Sequence, residues 1–275
     1  MQIHTTIRSL QAALDKAGRV AFAPTMGNLH AGHISLMRAA QTHADTVVSS
    51  IFVNRIQFGP NEDFDRYPRT FQADCEKLEA AGVNHVFAPD EQELYPVPQH
   101  YFVQPASEQD SILEGAVRPG HFRGVTTIVN KLFNIVRPHT ALFGKKDYQQ
   151  LMIIRNMVRE LNMPIEIVGC ETVRADDGLA LSSRNGYLSP AERTEAPRLA
   201  ATLRALGEAA MTGKIGHEAL ESRARQMLEE HGWQPDYVAI RNRNDLQMPR
   251  TGEALVVLAA ARLGQTRLID NLEIG

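Results

Sequence analysis

Two histidines with an alanine and a glycine between them carry the clearest chemical signal in this chain. They are His30 and His33, in the stretch Thr25-Met26-Gly27-Asn28-Leu29-His30-Ala31-Gly32-His33. The apolar run before it, Val20-Ala21-Phe22-Ala23, reads as a short buried strand. Ile34, Leu36, Met37, Ala39 and Ala40 after it are spaced like the buried face of a helix. The stretch is therefore a strand-to-helix turn. Gly27 and Gly32 let backbone approach a ligand closely, and amides left free at a helix start favour an anion. Histidines three apart share one face if both lie in the first helical turn, and imidazole N–H groups suit a phosphate. The plainer alternative is a glycine-bearing connection with two surface histidines; the pairing favours phosphate.

Other candidate groups are scattered. Gly144-Lys145-Lys146-Asp147-Tyr148-Gln149-Gln150 opens a predicted helix with two lysines, an unfavourable placement unless an anion is present. Asp147 also suits a helix cap. Ser182-Ser183-Arg184 taken alone is an ordinary polar loop, and Gln57 and Gln150 alone carry no signal. Arg118-Pro119-Gly120-His121-Phe122-Arg123-Gly124 fits a mobile surface loop as well as a basic flap beside an anion; His121 and Arg123 gain no role from it. No GxxxxGK[ST] and no GxGxxG occurs. The nearest approach, Gly207 to Lys214, has one residue too many between the glycines and Ile215 where a hydroxyl belongs.

The elements that must position these groups alternate. A helix over Ile7 to Leu14 is capped by Thr5 or Thr6. The first strand and the histidine turn follow, then a helix over 33–43 and a β-branched strand, Thr46 to Val53. A polar loop runs from Asn54 to Pro68, and Thr70 caps a helix to Ala81. Strands are expected at Val83 to Ala88 and Tyr101 to Val103. After the glycine-rich segment to Gly124 come a helix from Val125 to Val136, a strand from Thr140 to Phe143, a helix to Leu161 and a strand from Ile165 to Val173. This alternation predicts an α/β fold, a parallel sheet with helices on both faces. Ligands of such sheets sit at the carboxyl ends of the strands, where the histidine turn, the Asn54 loop, Gly144 to Asp147 and the segment after Val173 all begin.

Beyond Asp176-Asp177-Gly178 the character changes. Two helices, about 190–211 and 216–231, precede strands at Tyr237 to Ile240, Leu255 to Ala261 and Arg267 to Ile269. We read two domains, 1–176 for the sheet and 177–275 for a smaller C-terminal α+β lid. A net charge of −3 in 275 residues does not advertise nucleic acid. No apolar run is long enough to span a membrane, and no signal-peptide pattern is present. Cys75 and Cys170 have no CxxC partner. The sequence predicts a soluble, cytoplasmic protein.

Six motifs in order carry a resemblance. His30-Ala31-Gly32-His33 is similar to the HxGH element of the nucleotidylyltransferase superfamily. It is joined by Phe52 to Phe58, Tyr67-Pro68-Arg69-Thr70, Pro119 to Gly124, Phe143 to Gln150 and Leu181-Ser182-Ser183-Arg184-Asn185. Together they resemble the pantothenate synthetase (pantoate–β-alanine ligase) family from the first strand to the last. Two positions depart from its pattern: Arg55 stands where Pro is expected and Lys145 where Glu is expected.

The resemblance implies a Rossmann-like sheet and a two-step reaction. Pantoate attacks the α-phosphate of ATP, giving pantoyl adenylate and pyrophosphate; β-alanine then attacks the acyl carbon and releases AMP. It implies that His30 and His33 contact the phosphates, with His33 as proton donor, and that Lys146, Ser182, Ser183 and Arg184 neutralise them. ATP would lie along Met26, Gly27, Asn28, Leu29, Ala31 and Gly32, with Gly144, Lys145, Lys146, Asp147, Val173 and Leu181. Gln57, Gln150 and Asn54 would hold pantoate and β-alanine. ATP implies Mg²⁺, for which Asp74 is a possible ligand, although such an Asp is more often a solvated helix residue. The family also suggests a homodimer. Two other readings stay open: an adenylyltransferase that leaves the nucleotide on a cofactor precursor, and a non-catalytic nucleotide-binding module.

Overall fold

A computed structural model describes residues 1–60 and 62–275. The chain divides into two compact units, Met1–Lys145 with Ile153–Glu171, and Lys146–Met152 with Thr172–Gly275.

The first unit is built on six parallel strands: β1 (Gln2–His4), β2 (Val20–Thr25), β3 (Thr46–Ile51), β4 (His85–Phe87), β5 (Thr140–Gly144) and β6 (Glu166–Cys170). Their order is β1-β4-β3-β2-β5-β6. From β2 the chain builds outward through β3 to β4, then returns to lay β5 against the other edge of β2. That reversal is a topological switch point, where such sheets leave a crevice at the strands' carboxyl ends. The helices are α1 (Ile7–Leu14), α2 (Ala31–Ala40), α3 (Phe71–Ala80), α4 (Glu91–Leu94), α5 (Ser107–Asp110), α6 (Leu113–Val117), α7 (His121–Val136) and the later turns of α8 (Tyr148–Glu160). Ala21, Ala23, Leu29, Met37, Val47, Leu78, Val86 and Leu142 form one buried cluster. Val47 and Val48 of β3 are both buried, as a covered parallel strand requires.

Several expectations need correction. β1 was not anticipated; three residues are too few for a periodic signal. Tyr101 to Val103 is not a strand, because Val103 donates its N–H to Thr127 Oγ1 (3.1 Å) and accepts from Thr126 Oγ1 (2.7 Å), engaging its backbone on α7. Helix α7 starts at His121, four residues before the expected Val125, behind Gly120 at φ +81°. Strand β6 ends at Cys170, before Val173.

The second unit holds α9 (Pro190–Glu195), α10 (Arg198–Met211), α11 (His217–Glu230) and an antiparallel sheet ordered β7 (Trp233–Asn242), β8 (Leu255–Leu263), β9 (Thr266–Ile274). Leu199, Leu203, Leu206, Leu228, Trp233, Ile240 and Val257 form its core. The single helix expected over 190–211 is broken before Arg198, because Pro197 has no N–H to give the helix ladder.

Candidate active site

Strand β2 delivers its carboxyl end to the histidine turn. Thr25 Oγ1 donates to the Ser50 carbonyl (2.6 Å) and accepts from the Gly27 amide (3.3 Å). Gly27 sits at φ +85°, which glycine adopts without strain, and Asn28 follows at φ +50°. Helix α2 then begins with His30 as its N-cap. His30 Nδ1 accepts from the Gly32 amide (3.1 Å), and His33 Nδ1 accepts from the His30 amide (3.3 Å). This is a capping box made of two imidazoles in place of the usual hydroxyl and carboxylate. The rings lie 4.1 Å apart, centroid to centroid. Because each Nδ1 accepts, the proton of each neutral ring is on Nε2. The local fold thus fixes both tautomers.

The amides leading into the helix, at Asn28 and Leu29, are engaged inside the protein. Asp74 on α3 is fully buried. Its Oδ2 accepts from the Asn28 amide (2.8 Å) and from Thr70 Oγ1 (3.0 Å), and its Oδ1 accepts from the Leu29 amide (2.8 Å). Lys77 Nζ donates to the Leu29 carbonyl (2.7 Å). A buried carboxylate must collect donors, and the turn supplies them. Asp74 thus ties α3 to the approach to α2, and the two imidazoles close the cap that follows. Asp74 is not the solvated helix residue that its surroundings in sequence suggest. Thr70 caps α3 with no side-chain bond to the helix backbone; its hydroxyl serves Asp74 instead. No group of three or more His, Cys, Asp or Glu side chains placed to hold a metal ion occurs among the described residues.

The loop after β3 brings Asn54 and Gln57 to the same end of the sheet. Gln57 Nε2 lies 3.3 Å from Met26 Sδ, and Asn54 Nδ2 donates to Gln57 Oε1 (2.9 Å). Here the Arg118 to Gly124 segment gains its role. His121 is buried and its Nδ1 donates to the Gln57 carbonyl (2.9 Å), while Arg118 donates to His121 Nε2 (3.0 Å). Arg118 also makes a two-pronged pair with Glu62 (2.6 and 2.7 Å). Arg123 stacks its guanidinium 4.6 Å over the Phe102 ring. At Gly124 a Cβ would meet the Ile56 carbonyl oxygen at 2.4 Å and Gln57 Cα at 2.6 Å, so only glycine lets α7 close on this loop. The segment is a brace, neither a mobile loop nor a basic flap.

That brace is pH-sensitive. Burial, reinforced by the Arg118 charge, pushes the His121 imidazole down to about 4. The unfolded chain takes up this proton near pH 6.5, the folded protein only near 4. Stability is then complete above pH 6.5 and falls through the window between the two values, by up to about 3 kcal/mol. His121→Asn should remove that component from the pH dependence of the urea midpoint. Equal pH slopes for variant and parent would show that His121 titrates freely.

Strand β5 ends at Gly144. Lys145, in the first unit, pairs with Glu171 (2.5 Å). The remaining predicted groups belong to the second unit, where β9 anchors them. Asn271 Nδ2 donates to the Lys146 carbonyl (2.8 Å), and the Lys146 ammonium lies 3.7 Å from Asp147. Gln150 lies half-buried in the first turn of α8. Asp270 grips Arg174 with two bonds (2.6 and 2.9 Å). Arg174 bridges to Ala180, and Leu181 donates to the Val173 carbonyl (3.0 Å). Ser182 Oγ then accepts from the Arg184 amide (3.2 Å), capping the short helix that carries Ser183 and Arg184. Asp270 and Asn271 gave no sequence signal; only the antiparallel pairing of β8 and β9 brings them into play.

Residues 2–273 match the family model described as pantoate–β-alanine ligase. The chain belongs to that family. It is 60% identical to a pantothenate synthetase of Neisseria meningitidis over 276 residues, covering 100% of this chain and 99% of that one. The crystal structure of pantothenate synthetase from Thermus thermophilus superposes with a TM-score of 0.94 at 45% identity, covering 99% of both chains. The pantoate–β-alanine ligase of Francisella tularensis, solved with β,γ ATP and β-alanine, superposes at 0.83 with 33% identity, covering 99% of this chain and 97% of that one. The ligase joins pantoate to β-alanine. Its two departures from the family pattern are accommodated locally. Arg55 places its guanidinium 4.0 Å over the Phe64 ring and pairs with Glu91 (3.3 Å) at an exposed site, where such a pair contributes little. Lys145 is neutralised by Glu171.

Proposed function

We propose that the ligase uses ATP to activate pantoate as an acyl adenylate at the two-histidine turn. The observation that carries this is the imidazole capping box at the switch point, which holds two Nε2–H donors at the start of α2. A carboxylate is a poor acyl donor because oxide would have to leave. Its attack on the α-phosphorus breaks the bond to pyrophosphate and supplies a phosphate leaving group. The β-alanine amine then attacks the acyl carbon and AMP departs. The first step brings two anions together, so the protein's task is positioning and cancelling charge.

In this reading His30 and His33 donate to the α-phosphate, His33 being the proton donor. Lys146, Ser182, Ser183 and Arg184 take the charge of the departing pyrophosphate. Met26, Gly144 to Asp147, Val173 and Leu181 hold the nucleotide, with Gly27 to Gly32 lining its phosphates. Gln57 and Gln150 hold pantoate, with the buried Asn54 supporting Gln57 from behind, and β-alanine enters beside Gln57. Magnesium is part of the family's chemistry, but Asp74 does not fit it: its oxygens already accept three bonds inside the unit. A cytoplasmic homodimer belongs to the same reading and rests on the resemblance; no described helix is long and apolar enough to cross a membrane.

The test supplies ATP, Mg²⁺ and pantoate, with and without β-alanine, and identifies products by mass. AMP, pyrophosphate and pantothenate with the amine, and labelled pyrophosphate exchanging into ATP with pantoate alone, are expected. A stable adenylated product or ADP would overturn the mechanism. Gln150→Ala should raise the KM for pantoate about tenfold, the scale of one lost hydrogen bond to a charged group, and leave that for ATP unchanged. An effect confined to ATP would contradict its placement.

A further inference from the structure

We propose that Tyr95, Asn54 and the Gly124 carbonyl fix which end of the Gln57 amide faces the substrate, making Gln57 an obligate hydrogen-bond donor. The inference rests on the reading that Gln57 touches pantoate and goes beyond it, since an amide can donate or accept.

The chain of constraint starts from a group that can only accept. Asn54 is 1% exposed, and its Nδ2 lies 3.3 Å from the Gly124 carbonyl oxygen. A flipped Asn54 would set oxygen against oxygen in a buried place. The Tyr95 hydroxyl supports the same orientation, donating to Asn54 Oδ1 at 2.7 Å. Burial pushes the Tyr95 phenol well above its ordinary value, so that donor persists. The second hydrogen of Asn54 Nδ2 goes to Gln57 Oε1 (2.9 Å). The oxygen of Gln57 is thereby engaged inside the protein and its NH₂ turned outward. That NH₂ meets the Met26 sulfur at 3.3 Å, a weak acceptor that a carboxylate or hydroxyl oxygen can outcompete. His121 holds the Gln57 carbonyl (2.9 Å), so the backbone is pinned as well. The device selects a ligand that offers acceptors at this point, as an acid does. Asn54 and Tyr95 act through Gln57 here and are positioning residues.

The experiment measures steady-state constants for the full-length ligase carrying Gln57→Ala, Gln57→Glu, Tyr95→Phe, and Tyr95→Phe with Gln57→Ala. Gln57→Ala should raise the KM for pantoate about tenfold. Gln57→Glu keeps the shape and the bond from Asn54 but turns an anionic oxygen toward the acid, so it should be at least as damaging as alanine. Tyr95→Phe should raise the pantoate KM about fivefold, with kcat and the ATP KM within twofold, and should add nothing in the Gln57→Ala background. A near-normal Gln57→Glu enzyme, or a Tyr95→Phe effect that persists without Gln57, overturns the orienting chain while the site assignment stands. A Gln57→Ala enzyme with unchanged pantoate KM overturns both.

Discussion

Lys146→Ala is expected to lower kcat/KM of the ligase by about 30- to 1000-fold, the 2–4 kcal/mol typical of a lost preorganised charge contact. The chain should still fold. Lys146 is anchored by its backbone carbonyl, which accepts from Asn271, and not by its ammonium, whose distance to Asp147 is 3.7 Å. In the proposed mechanism this charge serves the transition state: adenylation drives a carboxylate onto a phosphorus that already bears negative oxygens, and pyrophosphate gathers more charge as it leaves. The neighbouring lysine does not replace it, because Lys145 is paired with Glu171. Rapid-quench measurement of pyrophosphate release, beside the melting temperature of the variant, checks the prediction. A near-normal rate in a folded variant would remove Lys146 from the phosphate site.

The second large effect is expected at Asp74. Asp74→Asn should lower folding stability by about 2–4 kcal/mol, since hydrogen bonds to a charged acceptor contribute about 1.5–3 kcal/mol each and the change leaves mismatched groups buried. The side chain keeps its shape, but an amide has only one acceptor end. Oδ2 now faces the Asn28 amide and the Thr70 hydroxyl, and Oδ1 faces the Leu29 amide. Whichever way the new amide turns, an N–H is set against an N–H. The strand-to-helix turn loosens, and with it the box that orients His30 and His33. Adenylation should slow along with the loss of stability. Gly27 shares this constraint, for a Cβ there would stand 3.1 Å from Asp74 Oδ2 at a φ of +85°. Urea titration and exchange of labelled pyrophosphate into ATP give the two readings. A parental midpoint with parental exchange would show that the turn holds itself without Asp74.

The two residues show where sequence reading reaches and where it stops. Lys146 is visible because it breaks a rule: a cation at a helix start is unfavourable without an anion. The histidine turn is visible because two glycines and two imidazoles follow an apolar strand. Asp74 breaks no rule. It occupies an ordinary place in an ordinary helix, and its importance lies in the Asn28 and Leu29 amides, distant in sequence and adjacent in space. His121 is similar. Its motif stood out, yet nothing local says that its partners are a guanidinium on one side and the Gln57 carbonyl on the other.

From sequence alone came the parallel α/β sheet, the smaller α+β part after it, the strand-to-helix turn that carries the two histidines and, through six ordered motifs, the kind of reaction. Periodicity and local stereochemistry encode these over short windows, so one chain suffices to read them. The tertiary structure decided how the Asn28 and Leu29 amides and the two imidazoles of the turn are paired, which way the Asn54 and Gln57 amides point, and that the Arg118 to Gly124 segment is a brace. Those are hydrogen-bond polarities among buried groups. They depend on which donors and acceptors packing places face to face, and residue spacing along the chain carries no record of that.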